Sequence, residues 1–243
     1  MTDVPRSLRS MYAPLQAPPT AERPLHVVLA CTGSVASVKV SLIAQELLKY
    51  SNVQVQIVAT RDALHFVDRD AIRALNDESY SVQDLSTMNK AAETIAQGGD
   101  ATMPQGPRLR LWTDADEWGA WKALGDPVLH IELRRWADVV LLAPCSANTL
   151  AKIAHGLCDN VVTSFLRALS PDTPTWVYPA MNTLMYLHPL TDQHLDVLRD
   201  TLHYEVFGPI EKRLACGDLG NGAMLEWTAI VAQVVERFGL VLS

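Results

Sequence analysis

Short, largely apolar runs recur along the chain and alternate with stretches of helical spacing. LHVVLAC (25–31), VQVQIVAT (53–60), DVVLLAP (138–144) and PTWVYPA (174–180) are the runs. A strand that reads apolar throughout, with no in–out alternation, is buried on both faces. Such strands belong to parallel sheets wrapped by helices on either side. VASVKVSLIAQELLKY (35–50), HIELRRWA (130–137), SANTLAKIAHG (146–156), DNVVTSFLRAL (159–169) and Met224–Phe238 carry the helical spacing. RLRLW (108–112) and HYEVF (203–207) are two weaker strands, and TLMYLHPLTDQHLDVLRDTL reads as mostly helix. Right-handed crossovers then give a single α/β domain over 24–243 with a doubly wound parallel sheet of the flavodoxin-like, Rossmann type.

Two stretches fall outside this rhythm. Residues 1–23 hold four prolines and little apolar periodicity, so a disordered tail is expected there. Residues 76–107 are polar and low in aromatics and read as a surface insertion. The 243 residues suffice for one sizeable core. A formal net charge of -7 gives no electrostatic reason to coat nucleic acid or an anionic membrane. No apolar run reaches the ~18 residues of a membrane span, and the start of the chain lacks the apolar core of a secretory signal. Cys31, Cys145, Cys158 and Cys216 are far apart, with no Cys-x-x-Cys. Reduced thiols in a cytoplasmic protein are expected, with neither disulfide nor metal site.

Ligands of open α/β sheets bind at the carboxyl ends of the strands. Three loops lie there. ACTGSVAS (30–37) contains Gly33, Ser34 and Val35 ahead of a helix whose N-terminus can receive a phosphate. G-x-G-x-x-G is absent, which favours a mononucleotide such as FMN over a dinucleotide. An ordinary turn capped by Ser34 is the competing reading. ATRDALHF (59–66) offers Thr60, Arg61 and Asp62 for a helix cap or for contact with a ribityl chain. In VVLLAPCSANTLAK (139–152), Ser146 is a helix cap, and Asn148 and Thr149 add hydrogen-bonding capacity beyond what a cap needs.

HIELRRWAD (130–138), PCSANTLAKIAHGLCDN (144–160), PAMNTLMY (179–186) and KRLACGDLGNGAM (212–224), in this order, resemble the homo-oligomeric flavin-containing Cys decarboxylases, the phosphopantothenoylcysteine decarboxylases among them. The likeness runs from about Leu25 to the closing helix. It implies a homotrimer with FMN between subunits, acting on N-(4′-phosphopantothenoyl)cysteine on the way to coenzyme A. It places FMN contacts on Gly33, Ser34, Val35, Thr60, Arg61, Asp62, Ser146, Ala147, Asn148, Thr149 and Ala180. The catalytic histidine falls on His130, the substrate-binding asparagine on Asn182 and the flap cysteine on Cys216. Met181, Met185 and Ala215 fall in the matched substrate motifs. Lys212 and Arg213 either meet the substrate phosphate or stand as a solvated basic pair. Tyr186 replaces the Trp that usually closes the Pro-x-Met-Asn motif.

A carboxylate leaves as CO₂ only where its electrons find a sink, and the cysteine end of this substrate has none. Transient oxidation of the thiol-bearing carbon by a flavin creates one, and the electrons return afterwards. His130 would hold or take a proton, Asn182 would orient the carboxylate or cap a helix, and Cys216 would give the last proton. Gly217, Gly220 and Gly222 would make the flap flexible. The alternative is a phosphatase-inhibitory regulatory subunit of the same fold. The presence of His130, Asn182 and Cys216 favours an enzyme.

Overall fold

The structure is a computed structural model that describes residues 8–12, 18–213 and 219–242, leaving aside the side chains of 212, 213 and 219. In chain order the strands and α-helices are β1 (Leu25–Cys31), α1 (Val40–Leu47), β2 (Val53–Ala59), α2 (Arg69–Arg73), α3 (Val82–Ala96), β3 (Leu109–Trp112), α4 (Asp114–Ala120), α5 (Leu129–Trp136), β4 (Val139–Cys145), α6 (Ala147–His155), α7 (Val161–Ala168), β5 (Thr175–Pro179), α8 (Thr183–Tyr186), α9 (Pro189–Asp196), β6 (Glu205–Val206), β7 (Ile210–Arg213), β8 (Leu219–Ala223) and α10 (Trp227–Phe238). β1 to β6 form one parallel sheet in the order β3-β2-β1-β4-β5-β6. The order reverses between β1 and β4, so the crevice of a doubly wound fold opens beyond their carboxyl ends.

Burial on both faces explains the apolar runs. Val27 and Leu29 of β1 point into one core with α1, α2 and α10, while Val28 and Ala30 point into the other with α3, α5, α7 and α9. Among the described residues no helix is long and apolar enough to cross a membrane.

Several expectations need correction. Residues 76–107 are not only surface. They contain α3, which is capped by Ser81 and Asp84 and turns Val82, Leu85, Met88 and Ala92 into the second core. Its polar majority hid a regular i, i+3, i+4 stripe. The expected disorder of 1–23 does not hold for residues 8–12 and 18–23. Met11 and Tyr12 are buried, and the Leu8 carbonyl accepts from Arg134 at 2.8 Å. Arg23 pairs with Asp138 at 2.6 Å, Tyr12 meets the His26 ring edge-on, and His26 stacks on Trp136. The expected helix over 35–50 divides into a 3-10 segment, Val35–Lys39, and α1. KRLACGDLGNGAM is expected to be a pliant flap, yet its two ends pair as the antiparallel hairpin β7–β8.

Candidate functional site

The carboxyl ends of β1 and β4 are tied together by one buried side chain. The Thr32 hydroxyl donates to the Pro144 carbonyl at 2.9 Å and accepts from the Ser146 N–H at 2.8 Å. It thereby completes two main-chain groups that strand pairing leaves over, a requirement for buried backbone. Thr32 itself passes its carbonyl to Ser37 at 2.8 Å and to Ser34 N–H at 2.7 Å, which sets the turn after β1.

Around this tie, seven of the expected cofactor residues line a single cavity of about 300 Å³: Gly33, Thr60, Arg61, Asp62, Ser146, Asn148 and Thr149. Gly33 serves close approach. A Cβ there would stand 2.8 Å from the Asp62 Cβ. Ser34 caps the 3-10 turn through Ala36 N–H, and Ser146 caps α6 through Thr149 N–H at 3.3 Å. Thr60 Oγ1 accepts from Ala63 N–H at 3.3 Å, the capping role weighed for this loop. Val35 is exposed rather than lining the cavity, and Ala147 is partly buried behind its neighbours. Ala180 is buried beside the crevice, its N–H given to the Cys145 carbonyl at 2.9 Å.

Asp114, Lys152, Asp159 and Asn160 also line the cavity and were not singled out by sequence reasoning. Lys152 lies one turn beyond Thr149 on α6, a spacing legible in advance. Asp159 meets it only through the fold. Three carboxylates in the lining would repel an anion, but each is engaged. Asp159 accepts from Lys152 at 2.6 Å, which holds its carboxyl below the usual range. Asp114 accepts from Val161 N–H at 2.7 Å, and Asp62 lies 3.6 Å from Arg61.

His130 stands at the start of α5. That helix runs back along the sheet to feed β4, so its N-terminus lies at the carboxyl edge. His130 does not line the cavity. It is joined to it through α4, where Asp114 faces the cavity and Glu117, one turn on, holds His130. Glu117 Oε1 is 2.6 Å from His130 Nδ1, and Oε2 accepts the His130 N–H at 3.0 Å. Nothing in the sequence marked Glu117.

Asn182 caps α8 through Leu184 N–H at 2.9 Å. Met181 is partly buried, and its N–H donates to the Gly222 carbonyl at 2.9 Å. Met185 is exposed on α8 beside Leu184, and Tyr186 packs against the second core, as a flat ring in that place can. Gly220 and Gly222, read from sequence as a source of pliancy, instead allow close approach. A Cβ on Gly222 would collide with the Met181 carbonyl oxygen, and one on Gly220 with the Thr183 hydroxyl. The hairpin is laid directly on the PAMN loop, and only glycine fits. Ala215, Cys216 and Gly217 lie outside the described residues, as do the side chains of Lys212 and Arg213. Cys31 and Cys145 are buried, and burial pushes the Cys31 thiol up to about 12 and Cys145 upward as well. Neither is a nucleophile.

The family model described as Flavoprotein matches residues 15–239. A probable phosphopantothenoylcysteine decarboxylase of Arabidopsis thaliana is 44% identical over 88% of this chain and 89% of its own length. The chain also spans 29% of a much longer protein, a probable thymidylate synthase of Schizosaccharomyces pombe, at 41% identity over 88% of its own residues. Among solved structures, a cysteine-to-serine mutant of PPC decarboxylase complexed with pantothenoylaminoethenethiol superposes with TM-score 0.71 at 41% identity, covering 89% of this chain and 100% of that one. The FMN binding protein AtHal3 gives 0.68 at 42%, covering 89% and 98%.

Proposed function

The chain belongs to the flavoprotein family, and on that premise we propose that it is an FMN-dependent phosphopantothenoylcysteine decarboxylase. The observation that carries this reading is the meeting of three strand-end loops on one polar cavity at the β1/β4 reversal. The residues present fit FMN. Gly33 leaves room where a Cβ would not fit, Ser146 and Thr149 present hydroxyls at the start of α6, and the acidic lining groups already have partners. Gly33 and Ser34 would hold the phosphate and Thr60–Asp62 the ribityl chain, with Ser146–Thr149 and Ala180 beside the ring. When bound, FMN supplies a reversible two-electron acceptor.

The chain's own groups do the rest. Asn182, fixed by its cap to α8, presents an amide that orients the substrate carboxylate without adding charge. Met181 and Met185 flank it. His130 handles the proton of the substrate's cysteine end. Loss of CO₂ leaves a carbon that needs a proton, and the Cys216 thiol is assigned to give it. Lys212, Arg213 and Ala215 would form the clamp on the phosphorylated end. We assign a homotrimer with FMN between subunits. Its support is exposed apolar surface: Trp118 on α4, Leu124 in the loop after it, and Leu184 and Leu187 on and just beyond α8.

Incubation of the purified, yellow protein with phosphopantothenoylcysteine should yield 4′-phosphopantetheine, detected by mass spectrometry as loss of one CO₂. His130→Asn should lower that rate by more than about 10³-fold while FMN stays bound. A colourless preparation, or a wild type that leaves the substrate intact, removes the reading.

A further inference from the structure

Glu117 is buried, and both of its oxygens are committed to one residue. Among the described residues no lysine or arginine pairs with it. Burying a carboxylate costs several kcal/mol unless its partners compensate. One of the two contacts has a local explanation. α5 begins after Val128, which has no capping side chain, so Glu117 caps the helix from outside by accepting the His130 N–H.

Capping does not require the second contact. A carboxylate only accepts, so a neutral His130 ring facing it must carry its proton on Nδ1, leaving the Nε2 lone pair free. We propose that Glu117 is a positioning residue that holds His130 in the Nδ1–H tautomer, so that Nε2 is the atom that takes a substrate proton. The bonding pair of that proton stays on the substrate, and the carboxylate balances the imidazolium that results. The inference rests on the decarboxylase reading and decides between base and orienter for His130.

Glu117→Gln separates the two roles. The amide oxygen can go on capping the His130 N–H, but the amide NH₂ then faces Nδ1, which must accept, and the ring proton moves to Nε2. In serine-protease triads the same exchange behind a catalytic histidine lowers kcat about 10⁴-fold. Here kcat should fall at least about 10²-fold with KM held within about threefold and the melting temperature unchanged. Ring-¹⁵N NMR of histidine-labelled, FMN-loaded protein, assigned by difference with His130→Asn, should show Nδ1–H in the wild type and Nε2–H in Glu117→Gln. The idea is overturned if the wild type carries Nε2–H, or if the variant reverses the tautomer and keeps its kcat. The wild-type tautomer needs no variant to fold and no turnover. A wild type that releases no CO₂ therefore sinks the decarboxylase reading alone, while the spectrum still decides for or against Glu117.

Discussion

On the proposed reading the site has two walls, and they are built on different principles. The crevice wall, at the ends of β1 and β4, is held by buried hydrogen bonds that converge on Thr32. The hairpin wall, β7–β8 on the PAMN loop, is seated by close approach, with glycine backbone against main chain and the Thr183 side chain and one main-chain bond from Met181 N–H to the Gly222 carbonyl. The first wall depends on matched donors and acceptors around Thr32, with one close approach at Gly33. The second tolerates changes of polarity but no added atom. A cofactor that remains through every turnover suits the first, and a substrate that must enter and leave suits the second.

Adding one methyl group to the hairpin wall should have the largest effect of the changes that test this contrast. Gly222→Ala drives a Cβ into the Met181 carbonyl oxygen, and the hairpin must lift. Decarboxylation kcat/KM should fall about 10²-fold, the cost of misplacing binding groups by about 1 Å. Flavin absorbance per chain should stay the same; flavin loss would mean that the walls are not separable. Next comes Thr32→Val, which keeps shape but strands the Pro144 carbonyl and the Ser146 N–H. We expect a loss of about 2 kcal/mol of stability, read as a fall of about 5 °C in melting temperature. A wild-type melting curve would show that the tie does not organise the crevice. The smallest effect is expected for Gly33→Ala, where the intruding Cβ meets the Asp62 Cβ. The FMN dissociation constant should rise about tenfold. An unchanged constant would place the role of Gly33 elsewhere.

Much of the crevice was legible because its signals are local. Ser34, Ser146 and Asn182 cap the helices that directly follow them, and a cap spans only two or three residues. Lys152 shares a helix with Thr149. Asp114, Asp159 and Glu117 were not legible, because each meets its partner across separate elements. Glu117 and His130 are thirteen positions apart with a loop between them. α3 was missed for a different reason. Buried Ser86 and Asn89 share its inner face with Val82 and Leu85, so composition looked like loop while the spacing was helical. Asn89 donates there to the Glu132 carboxylate at 2.8 Å, a partner no local window contains. Met11 and Tyr12 are two apolar residues in a proline-rich tail, too few for a periodic signal.

The order of residues along the chain determined the doubly wound sheet, because period and burial of each strand are written in its own side chains. It also determined which loops face the crevice, because parallel strands with right-handed crossovers leave their carboxyl ends on one edge. Only the tertiary structure decided which groups meet there. The grip of Glu117 on His130, the Thr32 tie and the seating of Gly222 on Met181 are contacts of a few ångströms between distant segments. Their existence depends on how helices and hairpin pack, which no single stretch of sequence encodes.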